Sequence, residues 1–398
     1  MELFLFLGTL FLFTFLGGFF LEKIKIPGIF SALILGLILA FNNHFNKITS
    51  SLSFEFLAWS GMYFLLFLIG FELDLEKIKK LGRFIFRATF SIILFEAIFG
   101  SLLIHFLFNY SWSISILIAL SFATVGETIL IPILDEFQLT KTKLGQSILG
   151  IGILDDIIEV FVIIITVLFL PLLGISSSQA KLELDRPLII LFSLFVLLLA
   201  TWLISALKKR VFQGKTKNFD QFLFLLVLSI LFLFVGFGKT GEVAAIGALL
   251  AGVTIKNFLP SEKLSKLETE IKTISYEFLG PIFLFWVGID INPNYLISAP
   301  LLVLLIVIIT YGAKILASFL VGKEELGKKE SLLMGVALGA RLSTSLVIIK
   351  FFFEKNLIGS NLYSLLIAAT LIFTFLVPLL LSFLIKKWEG SHLLISKK

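Results

Sequence analysis

Two adjacent aspartates, Asp155 and Asp156, followed one turn later by Glu159, stand inside the apolar stretch GILDDIIEV (152–160). The basic loop holding Lys141 and Lys143 is roughly ten residues away, about 15 Å along a helix, which puts the pair near the middle of a bilayer. Neighbouring helix positions point about 100° apart, so one carboxylate can face a water-filled cavity while the other meets a partner inside the protein. Two carboxylates crowded in a low dielectric do not both ionise freely, and a proton and a hard cation can then compete for them. Oxygen ligands suit small hard cations, and the chain has no cysteine and only three histidines, His44, His105 and His392, scattered along it. The depth of the pair argues against the alternative of two aspartates capping a helix end at the interface.

More charges fall inside apolar runs: Glu96, Glu127, Lys314 and Arg341. Each costs about 2.5–3.5 kcal/mol at mid-bilayer on insertion scales, so several in one chain call for a compensating role. Lys314, in YGAKILASFL, lies deeper than a lysine arm easily snorkels and needs an internal partner. The expected partner is Asp155, which leaves Asp156 for an ion; Glu96 is the alternative. Glu159 either supports the aspartates or is a charge on a cavity wall. Two polar, small-residue stretches, SFATVGET (121–128) and GARLSTS (339–345), lie at mid-depth. Such stretches let helices break where backbone lines a cavity, although small residues also serve close helix packing. Broken helices here would place Thr124, Val125, Gly126, Glu127, Arg341, Ser343 and Thr344 beside the aspartates, with Glu127 and Arg341 offsetting the half-helix dipoles.

The elements that must hold these groups are membrane helices. Of the 398 residues 58% are hydrophobic and only 15% charged, and the mean hydropathy is +1.07, which excludes a water-soluble surface. The lack of cysteine excludes disulfide and thiol chemistry, and the histidines cannot build a zinc or haem site. The net charge of +6 reads as topology, because the basic residues lie in short loops and nothing points to nucleic acid. Thirteen spans are expected, near 2–21, 27–43, 52–72, 88–109, 112–134, 145–171, 187–207, 219–237, 241–256, 273–290, 299–321, 330–352 and 362–385. Residues 1–21 read as a first span, without the basic start of a cleavable signal. Most of the 33 Lys and Arg fall on the side of Lys77, Lys79, Arg83 and Lys208; the other side holds Lys47, Lys181, Arg186, Lys239 and Lys355. The N-terminus is therefore expected outside a prokaryotic inner membrane and the C-terminus in the cytoplasm. Residues 387–398 read as a short tail, too short for a nucleotide-binding domain.

The chain also repeats itself. Shifted by 218 positions, FLLFLIGFELD (64–74) lies over IFLFWVGIDIN (282–292), Gly70 on Gly288 and Glu72 on Asp290; Glu96 falls on Lys314. At 216, SALILG (31–36) lies over GALLAG (247–252). This divides one transmembrane domain, 1–386, into repeat one at 1–174, a linker helix at 187–207 and repeat two at 219–386. Seven spans separate equivalent positions, so the expected fold is all-α with two six-helix repeats inserted upside down relative to one another. Such folds place a binding site at the repeat interface.

In serial order, FLIGFELDLEKIKKLGR (67–83), ATVGE (123–127), GILDDIIEV, GALLAGV (247–253), GPIFLFWVGIDI (280–291), the Lys314 span and the Arg341 span resemble the cation:proton antiporter superfamily. The likeness is to its second branch, of bacterial and archaeal sodium or potassium exchangers. It covers nearly the whole chain. It implies the sodium/proton antiporter fold with crossed discontinuous helices, a dimerisation panel and a mobile core, hence a homodimer, and elevator-like exchange of a cation against protons, with pH homeostasis as the setting. It implies that Asp156 is the essential ion- and proton-binding aspartate and Asp155 the preceding position, aspartate in electrogenic members. It implies too that Lys314 pairs with that position and that Thr124 belongs to the first unwound stretch. Glu127 and Glu159 are not part of that pattern.

Three rival readings fit the residues less well. A potassium-efflux transporter of the same branch usually has a cytoplasmic nucleotide-binding domain. An intramembrane aspartyl protease needs its carboxylates on facing helices, and in an organic-anion symporter the aspartates would repel the substrate. The expectation is thus a secondary transporter and no enzyme, exchanging Na+ or Li+ for H+ with no cofactor beyond the transported ions, or K+ for H+ as the alternative. Cation arrival would free Lys314 from Asp155.

Overall fold

The computed structural model describes residues 2–24, 26–42, 45–73, 81–172, 185–207, 222–240, 243–341 and 343–389. Its elements are helices: α1 (Glu2–Glu22), α2 (Phe30–Ala40), α3 (Asn46–Thr49), α4 (Leu52–Glu72), α5 (Arg83–Phe108), α6 (Trp112–Phe122), α7 (Glu127–Glu136), α8 (Lys143–Leu172) and α9 (Asp185–Ala206) come first. They are followed by α10 (Leu223–Thr240), α11 (Ala244–Phe258), α12 (Ser261–Lys272), a π-turn (Thr273–Phe278), α13 (Leu279–Ile289), α14 (Pro293–Ser298), α15 (Pro300–Gly322), α16 (Lys328–Ala337), α17 (Ser343–Glu354) and α18 (Ser360–Glu389).

Local sequence sets many of these ends. Ser51 and Ser111 accept the Phe54 and Ile114 amides at the starts of α4 and α6, and Asn292 accepts the Tyr295 amide where Pro293 opens α14. These side chains satisfy amides that have no partner in the first turn.

Six helices are long and apolar enough to cross a membrane, among the described residues: Glu2–Glu22, Leu52–Glu72, Arg83–Phe108, Leu188–Ala206, Pro300–Gly322 and Ser360–Trp388; four shorter ones are also apolar. Phe4, Phe15, Phe192 and Trp202 are largely exposed on α1 and α9, as side chains whose solvent is lipid can be. The chain is a multi-pass membrane protein.

The residues group into two compact units, each drawn from both halves of the chain: 1–11, 44–73 and 160–286 in one, 12–43, 74–159 and 287–398 in the other. In the first, α4 packs on α11 so closely that a Cβ at Gly70 would lie 2.0 Å from the Leu249 carbonyl oxygen. In the second, a Cβ at Gly288 would lie 2.3 Å from the Leu33 carbonyl oxygen of α2, with Gly36 alongside. Under the sequence offsets these contacts are counterparts, Gly70 answering to Gly288 and Leu249 to Leu33.

The two spans expected near 112–134 and 330–352 are each interrupted, between Phe122 and Glu127 and between Ala337 and Ser343. These are the two polar stretches singled out in the sequence. Residues 173–184, 208–221 and 390–398, with most of the expected tail and the end of repeat one, lie outside the described residues.

Candidate functional site

The interrupted helices meet at their breaks. The Gly126 amide donates to the Ala340 carbonyl at 2.7 Å, and the Thr124 and Ser345 hydroxyls hydrogen-bond to one another. Backbone leaving a helix strands amides and carbonyls that need new partners. At the second break those partners include Tyr311, whose hydroxyl donates to the Val336 carbonyl at 3.0 Å, while its ring fills the space a side chain at Gly339 would need.

Asp155 and Lys314 take up stranded groups of opposite sense. The Val125 amide, just before α7, donates to Asp155 Oδ2 at 2.7 Å; the carboxylate thus faces the positive end of a half-helix. Lys314, wholly buried on α15, donates to the Ala123 carbonyl at 2.9 Å, to Leu338 at 3.0 Å and to Thr124 at 3.3 Å. Those carbonyls close α6 and α16, so one ammonium serves the negative ends of both half-helices.

Lys314 forms its ion pair with Glu96, at 3.0 Å, and not with Asp155 as the sequence reading preferred. Glu96 is on α5, which packs along α15, whereas the Asp155 carboxylate is engaged by the Val125 amide. Arg341 also differs from expectation. Instead of offsetting a half-helix dipole, it pairs with Glu96, its guanidinium 3.5 Å from the centre of the Phe122 ring and 4.3 Å from that of Phe373. Glu96, Lys314 and Arg341 are each no more than 1% exposed. Glu96, read first as a secondary partner, holds two cations.

Asp156 is half-buried, between the buried Asp155 and Glu159. Glu159 is 3% exposed, with the Thr344 hydroxyl beside it and Asp155, Asp156 and Lys314 close enough to act on its charge. Thr344 is half-buried at the start of α17, and Val125 and Gly126 are buried in the first break. The side chains of Glu127 and Ser343 lie outside the described residues. No three acidic or histidine side chains converge to hold a metal ion among the described residues, so a cation here would complete its shell with hydroxyl, carbonyl or water oxygens.

Sequence reasoning missed Ser345, which could have been found as the hydroxyl next to Thr344. It also missed the cluster in which buried Lys350 pairs with Asp290 and, at 2.7 Å, with Glu354. The i,i+4 spacing of Lys350 and Glu354 was the available signal.

Comparison with known proteins bears on this arrangement. The family model described as sodium/hydrogen exchanger, transmembrane, matches residues 10–387. A Na+/H+ antiporter of Enterococcus hirae is 24% identical, over 94% of this chain and 96% of that one. A probable Na+/H+ antiporter of Methanocaldococcus jannaschii is 27% identical over 90% of each. A K+/H+ antiporter subunit of Bacillus subtilis, KhtU, is 28% identical over 76% of this chain and 72% of that one. The solved sodium proton antiporter MjNhaP1 of M. jannaschii superposes with a TM-score of 0.70 at 17% identity, over 96% of this chain and 99% of that one. This last likeness shows the fold.

Proposed function

Since the chain belongs to the transmembrane sodium/hydrogen exchanger family, we propose that it is a secondary antiporter exchanging Na+ or Li+ for protons at Asp156. One observation carries the reading. Two interrupted helices touch at their breaks, with Asp155 on an amide of one and Lys314 on carbonyls of both. The half-helix ends are thereby neutralised without Asp156, which lies half-buried at mid-span, a depth suited to binding an ion or a proton. The antiporter relatives from E. hirae and M. jannaschii support the same chemistry.

In this cycle Asp156 binds the cation when the site faces one side, with Asp155, Thr124 and carbonyls of the first break contributing oxygens. Protonation releases the ion, and only an occupied site reorients. Separation of the residues into two units, with the aspartates, Glu96, Lys314 and Arg341 all in one of them, supports an elevator-like movement. The paired contacts Gly70–Leu249 and Gly288–Leu33 support two inverted repeats within a thirteen-span domain. Loop charge supports an outer N-terminus and a cytoplasmic C-terminus. The Asp-Asp pair supports electrogenic exchange, and the family likeness supports a homodimer. The cycle draws on ion gradients and needs no further cofactor.

Because Asp155 and Lys314 are committed to backbone, cation arrival in this account does not act by parting them from each other. A second reading, K+/H+ exchange, is favoured by the similarity to KhtU. The two are separated in proteoliposomes loaded with acid and a pH-sensitive dye: addition of Na+ or Li+ relieves the acidification under the first, and K+ alone does so under the second.

A further inference from the structure

Resting on the antiport reading, we propose that Tyr311 is a positioning residue of the transport site, fixing the turn at the second helix break and with it the affinity for the transported cation.

The two breaks cap the same carbonyl in different ways. A helix that stops leaves its last carbonyls without the amides that would follow. Ahead of the first break the Ile118 carbonyl receives the hydroxyl of Ser121, three residues on, at 2.8 Å. The offset of 218 positions carries Ile118 to Val336 and Ser121 to Gly339. Glycine has no hydroxyl to give, and the Val336 carbonyl receives that of Tyr311 at 3.0 Å, beside the Gly339 amide at 3.2 Å. The hydroxyl is local in one repeat and comes from α15 in the other. At the position equivalent to Tyr311 the first repeat has Ile93.

This change of source ties the second break to Lys314. Tyr311 precedes Lys314 by one turn, so the two side chains leave the same face of α15. They hold alternate carbonyls at the end of α16, Tyr311 that of Val336 and Lys314 that of Leu338, the latter at 3.0 Å. The next alternate carbonyl, Ala340, accepts the Gly126 amide of the first break at 2.7 Å, and Lys314 reaches the Ala123 carbonyl at 2.9 Å. A shift of the turn from Val336 to Gly339 therefore moves both the ammonium and the carbonyl that hold the first break, where Thr124 and backbone carbonyls are the oxygens offered to the cation.

The ring is a second grip on the same turn. A Cβ at Gly339 would lie 2.3 Å from Tyr311 Cε2. The Phe373 ring meets that of Tyr311 edge to face, with centroids 5.4 Å apart, and is itself 4.3 Å from the Arg341 guanidinium. Buried between backbone and a second ring, the tyrosine has little room to yield, because interiors are close-packed.

The test compares wild type with Tyr311→Phe, Tyr311→Leu, Gly339→Ala and the double variant Gly339→Ala/Tyr311→Leu in proteoliposomes. Apparent KM and maximal rate for Na+ are read together with the melting temperature in detergent. Tyr311→Phe keeps the ring and loses one hydrogen bond, so its KM rises about two- to tenfold with a small fall in melting temperature. Tyr311→Leu loses the ring as well and raises KM further. Gly339→Ala drives a methyl group into the ring and raises KM; the double variant, in which leucine vacates that space, recovers part of the loss. Changes confined to melting temperature and maximal rate, with KM unchanged in every variant, overturn the proposal and leave antiport at Asp156 intact.

A second arm needs no transport. Hydrogen exchange at the Gly126 amide is followed in wild type and Tyr311→Phe, since protection reports how firmly that amide is held. Lower protection in the variant shows that a hydroxyl on the Val336 carbonyl acts on the first break, whether or not the wild type exchanges ions. Protection equal to that of the wild type contradicts the positioning role.

Discussion

The ammonium of Lys314 lies 3.0 Å from Glu96 Oε2, and the same carboxylate receives Arg341. One buried anion thus compensates two buried cations. Removing it strands both, which costs about 3–5 kcal/mol. Glu96→Gln is expected to lower the melting temperature in detergent far more than a substitution on the lipid-exposed face, such as Phe192→Leu. Combining it with Lys314→Met recovers part of the loss, a coupling of about 1–3 kcal/mol. Strictly additive losses would show that the three groups do not act as a unit.

Gly70 and Gly288 make a matched pair of predictions. A methyl group at either would meet backbone, at 2.0 Å and 2.3 Å, so a helix must move rather than a side chain. Gly70→Ala and Gly288→Ala are each expected to cost at least about 1–3 kcal/mol. Gly8→Ala and Gly312→Ala, where nothing lies within 4 Å of the added atom, are expected to be neutral or slightly stabilising, as alanine suits helix interiors better. Thermal unfolding of the four variants decides it; equal behaviour would deny the close approach.

Asp155 is expected to tolerate asparagine structurally, because the amide oxygen still accepts the Val125 amide. The lost charge weakens that bond by about 1 kcal/mol, whereas Asp155→Ala leaves the buried amide unpaired at about 1–3 kcal/mol. Hydrogen exchange at Val125 reads this directly, with protection falling modestly in the first variant and steeply in the second. Equal protection in both would place the amide's partner elsewhere.

Two lysines with two acidic partners each separate surface from buried pairing. Lys272 bonds Glu268 at 2.6 Å and Glu72 at 3.0 Å but is 39% exposed. Partial burial lowers its pKa, but the two carboxylates outweigh burial and hold it above the ordinary lysine value. The stability this contributes is present at neutral pH and is lost only as pH rises past that ordinary value. Lys272→Met should cost less than about 1 kcal/mol. Lys350, wholly buried between Asp290 and Glu354, should cost about 3 kcal/mol or more as Lys350→Met. Urea or thermal unfolding of both variants checks the contrast.

Much of this was legible because membranes make sequence explicit. A charge in an apolar run is expensive and therefore visible, so Asp155, Asp156, Glu96, Lys314 and Arg341 stood out; polar stretches in otherwise apolar spans marked both helix interruptions. Pairing was less legible. Depth placed Lys314 level with both Asp155 and Glu96, and the choice between them depended on the Val125 amide, a backbone group that exists as a free donor only once the helix breaks. The Phe122 and Phe373 rings around Arg341 were invisible for a similar reason, since aromatic residues in a chain holding 46 phenylalanines give no signal of their own. The Gly70 and Gly288 contacts were foreshadowed by the repeat offset, but only the packing shows that each meets a carbonyl of the other half of the chain.

The account rests most heavily on Asp156 as the group that exchanges cation for proton. The measurement is cation-induced relief of acidification in proteoliposomes or everted vesicles, comparing wild type with Asp156→Asn for Na+, Li+ and K+. The prediction is a response to Na+ and Li+ in the wild type that disappears in Asp156→Asn while the variant keeps its melting temperature. Full activity in Asp156→Asn, or no response to any of the three cations in the wild type, would contradict it.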